Sequence, residues 1–428
     1  MHYVIVGNGV AGIQAAFQIR RRYQPSQARI TVISDETDYF FSRTALMYAY
    51  MNKMQWRDLE PYEREVYDRQ KIERVNGRVV DLDADRGQVT LADGTPIDYD
   101  KLLLAVGAKP RMVPWKGLEE TDEGVVNFVS RQDREACEEL TWSTDRAVVV
   151  GGGLIGVELV ECLEHHGIET TFLVREPFFW PAGLHSEEGQ IITDQIRDHG
   201  VDLRHEEELA EIVPGRDGRV EAIVTDQDER IDCQMLGIAI GVVPNIDWLD
   251  GVTTPPRTNR GILVDRSFET NLPNVWAAGD CIEVEMGHDQ EDLVETIWYA
   301  AKRHGRLAGQ SMLGDEIDYD PPLFFNSAKF MDIEYTTVGE VTTAPSGTDS
   351  LFRKMPGEPI SQRIVFDDQE RVIGFNMLGS RWEHTILGDW IRERRRLDWV
   401  VDHLEEAQFD VEFGRVPLER MEEKEVEL

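Results

Sequence analysis

The chain opens on an apolar run, His2–Val6, that ends at Gly7-Asn8-Gly9-Val10-Ala11-Gly12. Gln14 to Arg22 then carries apolar residues at helical spacing, and Arg29–Ser34 is a second apolar run. The same order returns 144 residues on, with Arg146–Val150, then Gly151-Gly152-Gly153-Leu154-Ile155-Gly156, a helical pattern from Val157 to His166, and the apolar run Thr170–Val174. Strand, glycine turn, helix and strand, given twice, predict two βαβ units and two parallel sheets. Val75 to Leu104 reads instead as short alternating strands, with turn signals at Asp85-Arg86-Gly87 and Asp93-Gly94. From about Pro321 the pattern becomes α+β. Strands are predicted near Phe324–Val338 and Ile360–Phe375, and a helical stretch near Ile386–Leu404. The charged end, Glu419–Leu428, is expected to fray.

A GxGxxG between strand and helix serves a pyrophosphate. Its first glycine makes the tight turn, its second admits backbone close to the phosphates, and its third lets helix and strand pack. The helix N-terminus supplies N–H donors and a positive dipole. Two copies, each in strand–turn–helix context, predict two dinucleotide sites. A carboxylate at the end of the second strand normally holds the adenosine ribose. In the first copy Asp35 and Glu36 both lie there, and spacing does not choose between them. In the second copy that place is Val174, followed by Arg175 and Glu176. A missing carboxylate beside an arginine accommodates a 2′-phosphate and tilts the reading to NADPH, although Glu176 leaves NADH open.

Composition narrows the partners. The 428 residues suggest about three domains of ~150 residues. With 41% hydrophobic residues, wholesale disorder is excluded. The formal net charge is −36, from 81 acidic and 45 basic residues. That argues against nucleic acid and against an anionic membrane surface, both of which need cationic protein. Only nine of the 45 basic residues are lysine. Such a surface suits a high-salt cytoplasm, where screening removes self-repulsion; a GC-rich genome that favours arginine codons explains it equally well. No signal-peptide pattern or membrane-length apolar stretch is present, so a soluble cytoplasmic protein is expected. The four cysteines, Cys137, Cys162, Cys233 and Cys281, form no CxxC, which argues against a zinc ribbon or a thioredoxin-like pair, and no metal is expected.

Five segments, in order, resemble the pyridine nucleotide–disulfide oxidoreductase superfamily over roughly residues 1–318. Gly7–Gly12 is similar to its FAD fingerprint, and Leu104-Ala105-Val106-Gly107-Ala108-Lys109-Pro110 to its first crossover. Gly151–Gly156 with Val157-Glu158 is similar to its NAD(P)H site, and Ala239-Ile240-Gly241-Val242-Val243-Pro244-Asn245 to its second crossover. Val275-Trp276-Ala277-Ala278-Gly279-Asp280-Cys281 is similar to its second FAD motif. The implied fold is α/β, with two Rossmann-like, three-layer ββα dinucleotide-binding domains and a small α+β C-terminal domain. The implied division is FAD on 1–115 and 258–318, NAD(P)H on 116–257, and an interface domain on 319–428, with a homodimer among its uses.

The resemblance also implies roles. Gly7, Gly9, Val10, Ala11, Gly12, Ala105, Gly107, Gly279 and Asp280 would hold FAD, Asp280 through a ribityl hydroxyl, with Val80 among them. Gly151, Gly153, Ile155, Gly156, Arg175 and Gly241 would serve NAD(P)H. Glu158 would be the catalytic residue, holding the carboxamide so that the nicotinamide faces the flavin N5. Val294 to Arg306 resembles the helix that runs against the isoalloxazine, which places Thr296 and Trp298 at the ring.

Chemistry within the superfamily turns on thiols. Disulfide reductases carry a cysteine pair in the first FAD-domain helix, and coenzyme A-disulfide reductases and NADH peroxidases carry one cysteine. Here the stretch is Tyr39-Phe40-Phe41-Ser42-Arg43-Thr44-Ala45-Leu46, with Thr44 about where the thiol would stand. A hydroxyl cannot relay electrons as a thiolate does. Ser42-Arg43 resembles the element by which rubredoxin, ferredoxin and nitrite-reductase-type FAD reductases neutralise the pyrophosphate, although their usual proline is missing at Thr44. The expected function is therefore an FAD-dependent NAD(P)H oxidoreductase passing electrons to a small carrier protein. Quinone or dioxygen as acceptor, and a flavin-containing redox-sensing subunit, are the alternatives. Trp390 to Trp399 holds the chain's basic, tryptophan-bearing cluster, a solvated helix face or a docking patch for an acidic carrier.

Overall fold

The computed structural model describes residues 1–287, 291–409 and 416–423. They form two compact units. The first is Met1–Arg111, Val129–Glu138 and Gly241–Asp320; the second is Met112–Phe128, Glu139–Ile240 and Pro321–Leu428.

In the first unit, β1 (His2–Val6), α1 (Val10–Arg22) and β2 (Arg29–Ser34) make the first βαβ copy. A five-stranded parallel sheet runs in the order Val275–Ala277, Lys101–Leu104, β1, β2, Ile72–Asn76. Strands buried on both faces read as continuous apolar runs, as Tyr3–Val6 and Leu102–Leu104 do. The alternating segment forms the expected antiparallel trio Val79–Asp83, Gln88–Leu91 and Pro96–Asp98. The two crossover segments pair with each other, Ala108↔Pro244 and Pro110↔Val242.

In the second unit the copy is β3 (Arg146–Val150), α2 (Leu154–His165) and β4 (Glu169–Val174), and α3 (Ser186–Asp198) follows. Its parallel sheet runs Asp202–His205, β4, β3, Met235–Ile238, Val125–Val126. The registers of the two copies correspond. Val6 faces Ile33 and Leu104, and Val150 faces Leu173 and Ile238. Residues after Pro321 add an antiparallel sheet, Phe325–Phe330, Ile333–Gly339, Val372–Leu378, Ser361–Phe366, Asp349–Lys354 and Glu422–Glu423.

Both glycine-loop helices start earlier than expected, at Val10 and Leu154 rather than at Gln14 and Val157. Gly9 and Gly153 are their N-caps, in extended conformation, so the helix begins inside the glycine motif. The charged end is described only to Glu423, where Glu422–Glu423 pair with Arg353–Lys354; residues 424–428 lie outside the described residues.

Candidate functional site

The first loop separates glycines that the protein needs from one that it leaves free. Gly7 has φ 111°, and a Cβ there would stand 2.1 Å from Ala105 O. A Cβ on Gly12 would stand 2.0 Å from Gly7 O. A Cβ on Gly9 would meet nothing within 4 Å. Gly9 caps α1 without a side-chain hydrogen bond, and the first turn holds no acid. The free N–H groups of that turn, beginning at Val10 and Ala11, thus border open space, the form a pyrophosphate site takes.

The second FAD motif meets this loop from above α1. Gly279 has φ 88°, and a Cβ there would lie 3.0 Å from the Ala11 methyl. The helix α4 (Trp298–Met312) crosses α1 so closely that a Cβ on Gly305 would stand 2.0 Å from Ala11 O, and one on Gly309 2.9 Å from Ala15 Cα. Asp280 follows Gly279, and its Oδ1 is buried without a hydrogen-bond partner. Burial pushes its pKa up to about 6, against the pull of the Arg43 and His304 charges. A hydroxyl donor is what that oxygen lacks, so the residues fit a ribityl chain.

Glu36, rather than Asp35, turns inward. It accepts from the Arg131 N–H at 2.9 Å and from both terminal nitrogens of Arg43, at 2.9 and 2.6 Å. Burial opposes ionisation, yet the Arg43 and Arg131 partners hold the Glu36 carboxyl below its usual range. Asp35 is exposed. Arg43 also donates to Val129 O and lies 5.0 Å from the Phe41 ring.

The second loop repeats the geometry. Gly151 has φ 114°, and its Cβ would stand 2.3 Å from Ala239 O. That of Gly156 would stand 2.1 Å from Gly151 O, and that of Gly153 would meet nothing within 4 Å. Gly153 caps α2, on whose first turn Ile155 lies, with no side-chain hydrogen bond. Val174 is buried, and its side chain packs under Gly152, so the usual place of the ribose carboxylate is apolar. Arg175 is exposed and donates to Glu176 at 3.1 Å. On α2, burial and the nearby Glu161 charge raise the Glu158 carboxyl to about 7.

Comparison with known proteins gives the same reading. A sequence family described as pyridine nucleotide-disulphide oxidoreductase matches residues 1–305. The chain belongs to that family. An NADH oxidase of Methanocaldococcus jannaschii is 26% identical over 89% of this chain and 88% of its own. A rubredoxin-NAD(+) reductase of Pseudomonas putida is 25% identical over 92% of this chain and 99% of its own. A ferredoxin reductase from Rhodopseudomonas palustris has the same fold, with a TM-score of 0.77 at 24% identity, covering 88% of this chain and 91% of that one. The protein is an FAD-dependent NAD(P)H oxidoreductase.

As a pyridine nucleotide-disulphide oxidoreductase it carries four cysteines. All four cysteines are buried and lie outside any disulfide. Burial raises the Cys137 thiol, raises Cys233 to about 12, and raises Cys281 to about 11, so these three are not poised as thiolates. Thr44, expected about where the family's thiol would stand, is exposed and shares a 3.1 Å hydrogen bond with Ser42 Oγ.

Other expected residues have simpler places. Gly107 and Gly241 have φ 67° and 103°, with their carbonyls accepting from Asn245 N and Arg111 N. Val80 is exposed at a bulge between Val79 and Asp81. The helix expected over Val294–Arg306 begins only at Trp298, because Ile297 is extended; Thr296 precedes it and is exposed. The Trp298 Nε1 is buried without a hydrogen-bond partner.

The basic cluster does not lie on one continuous helix. It is two helices, α5 (His384–Arg392) and α6 (Leu397–His403), broken where Arg394 adopts φ 56°. Arg392, Arg395 and Arg396 pair with Asp389, Glu393 and Glu370, and Trp390 is buried. Its charge is therefore largely neutralised within the fold. The residues sequence reasoning missed are His304, Glu295 and Tyr319, linked beside Asp280, and the Gly305/Gly309 pair. A spacing of four between small residues on one helix was the available signal for the pair.

Proposed function

We propose that this protein accepts hydride from NADPH and delivers the electrons to a small redox carrier protein, with no cysteine of its own in the path. The observation that carries the reading is the pairing of two open glycine cradles with four buried thiols. FAD, when bound, supplies a hydride acceptor that can return electrons singly or in pairs. The protein's part is positioning. The α1 N–H groups and the space at Gly9 take the FAD pyrophosphate, Glu36 takes the adenosine ribose, and Asp280 accepts from a ribityl hydroxyl. Arg43 offsets phosphate charge. The α2 N–H groups and the space at Gly153 take the pyrophosphate of the nicotinamide nucleotide, Arg175 its 2′-phosphate, and Glu158 its carboxamide.

A carrier protein is favoured as acceptor because relatives over nearly the whole chain are named for rubredoxin and ferredoxin. Anaerobic stopped-flow reduction by NADPH and NADH, followed by mixing with rubredoxin, ferredoxin or dioxygen, tests this. Fast bleaching by NADPH and reoxidation faster by a carrier than by dioxygen is expected. Failure to bleach sinks hydride transfer, and reoxidation fastest by dioxygen makes the protein an oxidase, as the archaeal relative is named.

A further inference from the structure

The segment between β4 and α3 begins with Arg175 and Glu176 and ends at His185. Arg175 and Pro177 are exposed and Glu176 is half-buried, whereas the rest is fastened to the C-terminal sheet of the same compact unit. Trp180 stands at φ 52°, a left-handed conformation that a bulky residue keeps only when its surroundings over-determine it. Its indole packs onto Gly183, where a Cβ would stand 2.5 Å from the ring. The ring centroid lies 5.6 Å from that of Phe330 and 5.7 Å from that of Tyr335. Gly183 O accepts from Asn376 Nδ2 at 2.9 Å and lies 3.2 Å from Tyr335 Oη. Ala182 O accepts from Thr342 Oγ1 at 2.9 Å. Just beyond, the guanidinium of Arg363 meets Glu188 through two hydrogen bonds, at 2.7 and 3.0 Å, and Glu187 at 2.7 Å; Arg363 and Glu188 have no exposed surface.

At its other end the segment leaves β4 through Val174, which packs under Gly152 of the second cradle. One short stretch of chain therefore joins the cradle to the sheet, and the residues that would read the 2′ position lie between the two anchors. A loop held at both ends loses less conformational freedom when a ligand orders it.

We propose that the C-terminal sheet sets the affinity and the 2′-substituent preference of the nicotinamide nucleotide by clamping residues 175–185, with Trp180, Tyr335 and Asn376 as positioning residues. This rests on the reading of the second cradle as the NAD(P)H site. Loosening the clamp leaves Arg175 in place but frees its backbone, so nucleotide binding weakens and discrimination falls while the flavin site is untouched.

The experiment is calorimetric titration of the FAD-loaded protein with NADP+ and with NAD+, for wild type, Trp180→Ala, Trp180→Phe and the conservative Tyr335→Phe. Trp180→Ala is expected to raise the Kd for NADP+ by about 10-fold and Tyr335→Phe by about 3-fold, on the scale of lost packing and of one net hydrogen bond. The NADP+ to NAD+ preference should fall in both, with flavin content unchanged and the thermal midpoint lowered by the lost packing, and Trp180→Phe should restore most of both losses. Dissociation constants and preference unchanged in both Trp180→Ala and Tyr335→Phe overturn the clamp. A wild type that binds neither nucleotide overturns the cradle reading and the clamp with it.

Discussion

Tyr319 Oη donates a 2.6 Å hydrogen bond to Glu295 Oε2, and so makes His304 Nε2 a donor to this pair. The His304 Nε2 is 3.1 Å from both partners, and the tyrosine proton is already committed, so Nε2 must donate. Glu295 precedes α4, His304 lies within it and Tyr319 follows it, so the trio ties together the two ends of the helix that starts at Trp298. Burial opposes ionisation of Glu295, yet the His304 and Tyr319 hydrogen bonds and the His304 and Arg303 charges hold its carboxyl below its usual range. A depressed carboxyl stabilises the fold above its unfolded pKa and stops doing so as pH falls through its folded one. Tyr319→Phe should therefore cost about 1.5–3 kcal/mol at pH 7 and progressively less below about pH 4. Urea unfolding at both pH values checks this; an equal cost at both would show that the bond does not depend on the Glu295 charge.

The glycines of each loop should separate into two kinds. Gly12→Ala and Gly156→Ala drive a methyl into the carbonyl of the first glycine and should destabilise by ~3 kcal/mol or more. Gly9→Ala and Gly153→Ala fit the protein, at φ −75° and −107°, and should change the thermal midpoint little. They place the methyl where the proposed pyrophosphates would lie. Gly9→Ala should purify with little flavin, and Gly153→Ala should keep its flavin but bind NADP+ weakly. A flavin-replete Gly9→Ala protein would show that the first cradle does not hold FAD.

These glycines were legible because a tight turn with a positive φ and a backbone approach near 2 Å restricts residue type locally. The choice of Glu36 over Asp35 was not, since it depends on the N–H of Arg131, 95 residues away. The buried Arg363–Glu188 pair spans 175 positions, and no local pattern announces it. The α4 start at Trp298 and the break at Arg394 were misread for a related reason. The helix over Val294–Arg306 is expected from resemblance alone, and Glu393–Arg396 is filled with good helix formers, while the backbone at both places follows tertiary contacts. What the sequence carried was periodicity and turn chemistry, and what it withheld was long-range pairing.

Asp280 should make function and stability pull in opposite directions. Its folded pKa, about 6, lies above the ordinary 3.8, so the native state binds the proton more tightly. The cost of ionising it grows as pH rises from about 4 to 6 and is fully present at pH 7, at ~1–3 kcal/mol. Asp280→Asn should thus raise the stability of the apoprotein at pH 7 and leave it unchanged at pH 4. The same change removes the ionised acceptor, so FAD should bind more weakly. In the wild type, FAD affinity should rise through pH 6. Calorimetric unfolding of apoprotein and flavin-fluorescence titration across pH 4–8 read the two effects separately. An Asp280→Asn apoprotein no more stable than wild type at pH 7 would contradict the desolvation cost.

The surplus of 81 acidic over 45 basic residues should make stability depend on salt. At 0.1 M the Debye length is about 10 Å, comparable with spacing between surface carboxylates; at 1 M it is about 3 Å. Screening relieves repulsion across a net charge of −36 more than it weakens the exposed ion pairs, each worth about 0–1 kcal/mol. The thermal midpoint should climb from 0.1 to 2 M KCl. A flat or falling midpoint would favour codon bias over salt adaptation as the origin of the composition.

Glu158 offers the sharpest test of the nicotinamide site. Burial is the larger cause of its raised pKa, near 7, and the Glu161 charge one helical turn on adds to it. Glu161 is itself paired with Lys329 at 2.8 Å, which offsets part of that charge. A carboxyl poised there changes its hydrogen bonding to a carboxamide within the working pH range, from donor and acceptor when protonated to acceptor alone when ionised. The rate of flavin reduction by NADPH should therefore show an inflection near pH 7. Glu158→Gln should abolish it, since the amide cannot titrate, and should slow reduction because Gln no longer presents a carboxylate. Glu161→Gln removes the repelling charge and should move the inflection to lower pH, whereas Lys329→Met unmasks that charge and should move it higher. Opposite movements in these two variants would tie the inflection to Glu158 rather than to the nucleotide, and identical profiles in all four proteins would remove Glu158 from the reaction.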